Sequence, residues 1–141
     1  MNPREPISIA ERQRQLVADY LLIENKRERL AAIIDRARKL PPLPPEERIE
    51  KNRILVCQSM VWLVGEFKNG TLSLRYDADS VLVRGLVGLL CEIYQDGTAE
   101  EILSVEPTLF DELGIAPELS PTRKNGLAGV RRRIVELARN A

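Results

Sequence analysis

Val61-Trp62-Leu63-Val64-Gly65-Glu66-Phe67-Lys68-Asn69-Gly70-Thr71-Leu72-Ser73-Leu74-Arg75-Tyr76-Asp77 is where the chain changes its hydrophobic period from helical to extended. Val61, Leu63 and Phe67 alternate with Trp62, Val64 and Glu66, and Leu72, Leu74 and Tyr76 alternate with Thr71, Ser73 and Arg75. Such alternation puts each set on one face of a pleated strand. Asn69-Gly70 between the two runs tolerates the positive φ angles of a two-residue hairpin. The pattern predicts antiparallel strands at about 60–67 and 71–77. Upstream, Ile54 and Val56 alternate briefly, which adds a strand at about 53–56 and completes a three-stranded meander. Cys57-Gln58-Ser59 then falls in the tight connection between the first two strands.

On either side the period is helical. Ser8-Ile9-Ala10-Glu11 reads as a capping box, followed by Ile9, Leu16, Val17, Tyr20 and Leu21 on one stripe. A second stripe runs through Leu30, Ile33, Ile34 and Ala37, with a break near Asn25 left open. Pro41-Pro42-Leu43-Pro44-Pro45 ends it, since proline lacks an amide donor and restricts the residue before it. Asp79 or Ser80 caps a third helix through Leu82, Val83, Leu86, Leu90 and Ile93, with Gly85 and Gly88 allowing close packing. Thr98-Ala99-Glu100-Glu101 opens a short helix, and Ser120-Pro121 opens the last one, with Leu127, Val130, Ile134, Leu137 and Ala138 on one face. The predicted fold is α+β, with helices packed on one face of a three-stranded antiparallel sheet. A single domain is expected over 1–141, with residues 1–7 expected to form a flexible N-terminus.

Composition excludes several chemistries. The chain has no histidine, which removes Ser-His and Cys-His nucleophilic pairs, histidine-ligated zinc and histidine-held haem. Two cysteines, Cys57 and Cys91, cannot build a disulfide framework or a four-thiolate metal site, and point to a reducing cytoplasm. No resident cofactor or metal is expected. Lysine plus arginine balance aspartate plus glutamate at 21 each, so no net charge advertises nucleic acid or a membrane. No run is apolar for long enough to span a bilayer, and Met1 to Pro6 resembles no signal peptide.

Cysteine is therefore the strongest nucleophile the chain owns. Cys91 lies among Val87, Leu90 and Tyr94 on an amphipathic helix, where a thiol packs as a small apolar group. Cys57 lies in a connection, where reactive side chains are usually displayed. On these grounds alone, a working thiol and a merely buried one are equally good readings of Cys57.

Asn52-Arg53-Ile54-Leu55-Val56-Cys57-Gln58-Ser59-Met60-Val61-Trp62 resembles the signature of the SufE family of sulfur acceptors in iron–sulfur assembly. Asp77-Ala78-Asp79-Ser80-Val81-Leu82-Val83-Arg84-Gly85-Leu86 and Leu119-Ser120-Pro121-Thr122-Arg123-Lys124-Asn125-Gly126-Leu127 resemble two further blocks of that family. Leu40-Pro41 and Phe110-Asp111-Glu112-Leu113-Gly114 follow in the expected order. The chain departs from the pattern at Val56, where the family has glycine, and at Met60, where it has glutamine. The resemblance implies an accessory protein without independent turnover, which activates a SufS-type cysteine desulfurase. Cys57 would take persulfide sulfur and pass it to an iron–sulfur cluster scaffold, or to another sulfur-accepting enzyme. Gln58 and Ser59 would bind beside Cys57. Arg123, a cation in the first turn of the last helix, would assist the thiolate or position its loop. A cation there opposes the helix dipole, as residues kept for function often do, and pairing with a surface carboxylate is the plainer alternative. Asn52 reads as a turn residue and Trp62 as core or interface packing.

Two rivals remain. Arg123, Lys124, Arg131, Arg132, Arg133 and Arg139 make the last helix basic, as in a nucleic-acid module, although few aromatics accompany them. A stand-alone redox enzyme would need a resolving thiol beside Cys57, and none adjoins it.

Overall fold

The computed structural model describes residues 7–54 and 59–141. Among these residues, six α-helices and one hairpin enclose a single apolar core. Helices α1 (Ile9–Leu21) and α2 (Lys26–Arg38) are separate, because the Asn25 side chain caps α2 by accepting from Glu28 N at 3.0 Å. Strands β1 (Val61–Lys68) and β2 (Thr71–Ala78) follow the Pro-rich connector. Then come α3 (Val81–Tyr94), the short α4 (Ala99–Ser104) and α5 (Leu109–Glu112), and α6 (Pro121–Arg139).

The hairpin has the predicted register. Val61 pairs with Ala78 and Lys68 with Thr71, leaving Asn69 (φ 53°) and Gly70 (φ 83°) to turn the chain. Two successive positive φ values are the signature of the turn that matches strand twist. Leu63, Leu72 and Leu74 are buried, and α3 crosses this face of the sheet. Gly88 leaves room for Tyr76, whose hydroxyl would lie 2.7 Å from any added Cβ, and Gly85 lets Ile33 of α2 approach α3.

The third strand is not present among the described residues. Arg53 makes a single antiparallel bridge to Trp62, and Ile54 N donates to Val61 O at 2.9 Å. Just before it the chain coils in a 3-10 turn, Glu50–Asn52, and the Arg53 carbonyl is engaged by the Arg133 guanidinium of α6 at 3.1 Å. The 3-10 turn takes up the residues just before Arg53, so among the described residues only Arg53 and Ile54 run along β1. The sheet is therefore two-stranded among the described residues. The rest of the expected strand, Leu55 and Val56, lies outside them.

On the opposite face of the hairpin, the Trp62–Asp77 end is covered by the connector. Asp77, with its side chain 3% exposed, accepts from Leu43 N at 2.9 Å and from the Arg48 guanidinium at 2.6 Å. Arg84 Nε stands 3.3 Å from the same carboxylate, and its Nη2 donates to Leu40 O and Pro41 O, both at 2.8 Å. Arg48 also lies over the Trp62 ring, 5.6 Å from its centre. Polyproline stiffness shapes this segment, but the Asp77 carboxylate pins it.

Candidate functional site

The segment carrying the candidate cysteine is held at both of its described ends. At the entry, Asn52 Nδ2 donates to Glu47 O at 2.8 Å, which makes Asn52 a turn residue. Ile54 is buried, and Arg133 binds the Arg53 carbonyl. At the exit, Asp79 makes a two-way clamp on Met60. Its amide donates to Met60 O at 3.1 Å, and its carboxylate accepts from Met60 N at 3.1 Å. Ser80, next to it, takes the helix-capping role by accepting from Val83 N at 3.4 Å. The sequence offered both residues for that cap, and the structure divides them between helix and loop. Cys57 and Gln58 lie outside the described residues.

Ser59 opens onto a cavity of about 320 Å³. Val83, Leu86 and Val87 of α3 form one wall, and the first turns of α6, from Thr122 and Arg123 to Leu127, form the other. The α6 end exists because Ser120 Oγ accepts from Arg123 N at 3.2 Å while Pro121 occupies a position with no helical donor to lose. Arg123 is exposed and has no ion-pair partner among the described residues. Two of the expected site residues, Ser59 and Arg123, thus line one cavity although 64 positions (123 − 59) separate them in sequence. The cavity has an apolar floor, a helix N-terminus and a guanidinium at its rim. Such surroundings favour a small, soft anion over a neutral polar group.

Cys91 has the opposite setting. It is 3% exposed within the core, and burial pushes its thiol well above the ordinary value. A thiol kept protonated is a poor nucleophile. Trp62 is buried as well, shielded by Arg48.

The basic helix divides in the same way. Arg131 turns inward to donate to Ile102 O at 3.2 Å and Val105 O at 3.0 Å, lying 5.0 Å from the Tyr94 ring centre. Arg133 is spent on the segment before Cys57. Two of the six cations that suggested nucleic acid are therefore structural. Sequence reasoning missed three parts of this site: the Asp79–Met60 clamp, the Arg133 tether and the α3 wall. Of these, Asp79-Ser80 alone left a signal, two capping residues where one helix needs one.

A profile of the SufE family, described as an Fe-S metabolism associated domain, matches residues 14–138. An uncharacterized SufE-like protein of Rhizobium etli is 32% identical over 130 residues, covering 89% of this chain and 88% of the relative. Another, from Rhizobium meliloti, is 30% identical over 125 residues, covering 85% and 89% respectively. The fold is similar to the solution structure of a hypothetical protein from Thermus thermophilus. The TM-score is 0.74 at 24% identity, covering 92% of this chain and 95% of that one.

Proposed function

This chain belongs to the SufE family, a domain associated with Fe–S metabolism, and from that premise we propose that Cys57 accepts sulfur from a SufS-type cysteine desulfurase and delivers it to an iron–sulfur cluster scaffold. The observation that carries the reading is the burial of Cys91. With two cysteines in the chain and one sealed in the core, the nucleophile falls to Cys57.

The transfer balances without an outside oxidant. The Cys57 thiolate attacks the outer sulfur of a persulfide on the desulfurase. A new sulfur–sulfur bond forms, the old one breaks, and its electron pair leaves with the desulfurase thiolate. Delivery repeats the exchange with the acceptor. An ordinary thiol, with a pKa of ~8.5, is only a few per cent ionised at neutral pH, so a cation and a helix N-terminus nearby assist the attack. Two residues of chain span at most about 7 Å, so a thiol two positions before Ser59 has the cavity within reach. There the apolar floor would shelter a persulfide from free thiols, while Arg123 and the positive end of the α6 dipole stabilise its charge. Gln58 and Ser59 serve as hydrogen-bonding partners of the loop or of the docked desulfurase. The reducing cytoplasm is the compartment this chemistry needs, and among the described residues no helix is long and apolar enough to cross a membrane.

The test is direct. Incubated with a cysteine desulfurase, pyridoxal phosphate and cysteine, the protein gains about 32 Da per sulfur, as persulfidation requires. Peptide mass analysis places the added sulfur on Cys57, and Cys57→Ser abolishes it. A persulfide confined to Cys91 overturns the assignment.

A further inference from the structure

We propose that a groove between α6 and the loop leading into α5 holds an acidic amphipathic helix of a protein partner, a surface separate from the sulfur-transfer cavity. The groove measures about 540 Å³, the largest of the described cavities. Its floor is apolar, built from Leu90, Pro107, Phe110, Leu127 and Val135. One wall is a single stripe of α6, in which Lys124, Ala128, Arg132, Val135 and Arg139 recur at intervals of three and four residues. From Lys124 to Arg139 this stripe is about 22 Å long at ~1.5 Å per residue. That matches about four turns of a second helix laid alongside.

Charge selects the kind of helix. Lys124, Arg132 and Arg139 are exposed on this wall and have no ion-pair partner among the described residues. Against them stand Glu136 and Glu106, and Glu106 lies 4.0 Å from the inward-turned Arg131. The unspent charge is positive and flanks an apolar floor. A helix with an apolar stripe and carboxylates on its flanks satisfies both features at once. Nucleic acid would satisfy only the charge, since phosphate gains nothing from Phe110, Leu127 and Val135 and no exposed aromatic row is available for stacking. Leu127 lines this groove and the cavity beside Ser59, so α6 forms a wall of both. A partner seated here would lie next to the sulfur-transfer site without covering Arg123.

The probe is a labelled helical peptide of about 16 residues, sized to the groove at ~1.5 Å per residue, with leucines on one stripe and glutamates beside them. Fluorescence anisotropy at roughly physiological ionic strength compares it with two controls, one with lysine for glutamate and one with serine for leucine. The glutamate–leucine peptide is expected to bind at least about tenfold more tightly than either control. Its amide-shift footprint should fall on residues 105–110 and 124–139. The double variant Arg132→Glu, Arg139→Glu alters exposed side chains only, so the fold is retained, and it should weaken binding about tenfold or more. Equal binding of all three peptides, or a footprint elsewhere, overturns the proposal. So does tighter binding of a single-stranded RNA of similar length that displaces the peptide, since the surface would then be electrostatic alone. None of these measurements involves sulfur transfer, so their failure leaves the role of Cys57 untouched.

Discussion

Replacing Asp77 should detach the connector from the sheet and cost far more stability than an ordinary acidic substitution. Its carboxylate is 3% exposed and serves Leu43 N, Arg48 and Arg84 together. In Asp77→Ala the buried Leu43 amide loses its acceptor, a desolvation cost of about 1–3 kcal/mol. Arg84, with its side chain 13% exposed, keeps its bonds to Leu40 O and Pro41 O but loses the opposing charge. Breaking one side of such a buried pair typically costs ~3–5 kcal/mol. Arg48 is 39% exposed and can turn to water, so its share is discounted to roughly 0.5 kcal/mol. These terms overlap, because the same carboxylate supplies all of them, and the expected total is about 3–5 kcal/mol. Asp77→Asn retains an oxygen for Leu43 and should cost about 2–3 kcal/mol, since it loses the charge but not the acceptor. Urea denaturation followed by circular dichroism measures both, with the Trp62 fluorescence beneath Arg48 as a local reporter. A loss below about 1 kcal/mol in Asp77→Ala would show that the connector is held by its apolar residues and prolines, and that the carboxylate hub is incidental.

Three further outcomes follow from the same geometry. Cys91→Ala removes a buried sulfur and should cost about 1–2 kcal/mol by denaturation while leaving sulfur acceptance intact. A folded variant that accepts no sulfur would move the chemistry to Cys91. Stability should also fall at alkaline pH. Burial raises the Cys91 thiol above its ordinary value, and Tyr76 and Tyr94 from 10.0 to about 12, so the unfolded chain loses these protons first. The stabilisation from each raised group is complete below its unfolded value and is lost as pH rises above it. The decline therefore begins near pH 9, and Cys91→Ala should delay its onset to about pH 10; an unchanged onset would mean that the Cys91 thiol ionises freely in the fold. Finally, Arg123→Ala should slow persulfide formation but shift stability by no more than about 0.5 kcal/mol, because Arg123 is exposed and the Ser120 cap remains. Arg123→Lys restores the rate in part if charge alone matters, and wild-type kinetics in the alanine variant would remove Arg123 from the site.

Local rules were enough to determine much of this protein from its sequence. The hairpin and its turn follow from strict alternation around Asn69-Gly70, and the helix starts at Ser8, Thr98 and Ser120 follow from side chains that cap within four residues. Each of these depends on neighbours in the chain, so composition and spacing suffice to read it. The contrast between the two cysteines was half legible by the same logic, since the helical stripe already placed Cys91 in the core. What the chain could not announce is any arrangement assembled from distant segments. Among the described residues the strand expected at 53–56 amounts to one bridge, and the Arg53 carbonyl beside it is tied down by Arg133 of α6, 80 positions away. Ser59 and Arg123 share a cavity only because α3 and α6 pack side by side. The six cations of α6 look alike in sequence, yet packing spends Arg131 and Arg133 on backbone carbonyls of other segments and leaves Lys124, Arg132 and Arg139 facing an apolar groove. Burial and opposing charge are properties of the packed fold, set by whichever elements come to lie against a residue, and tertiary structure alone decides them.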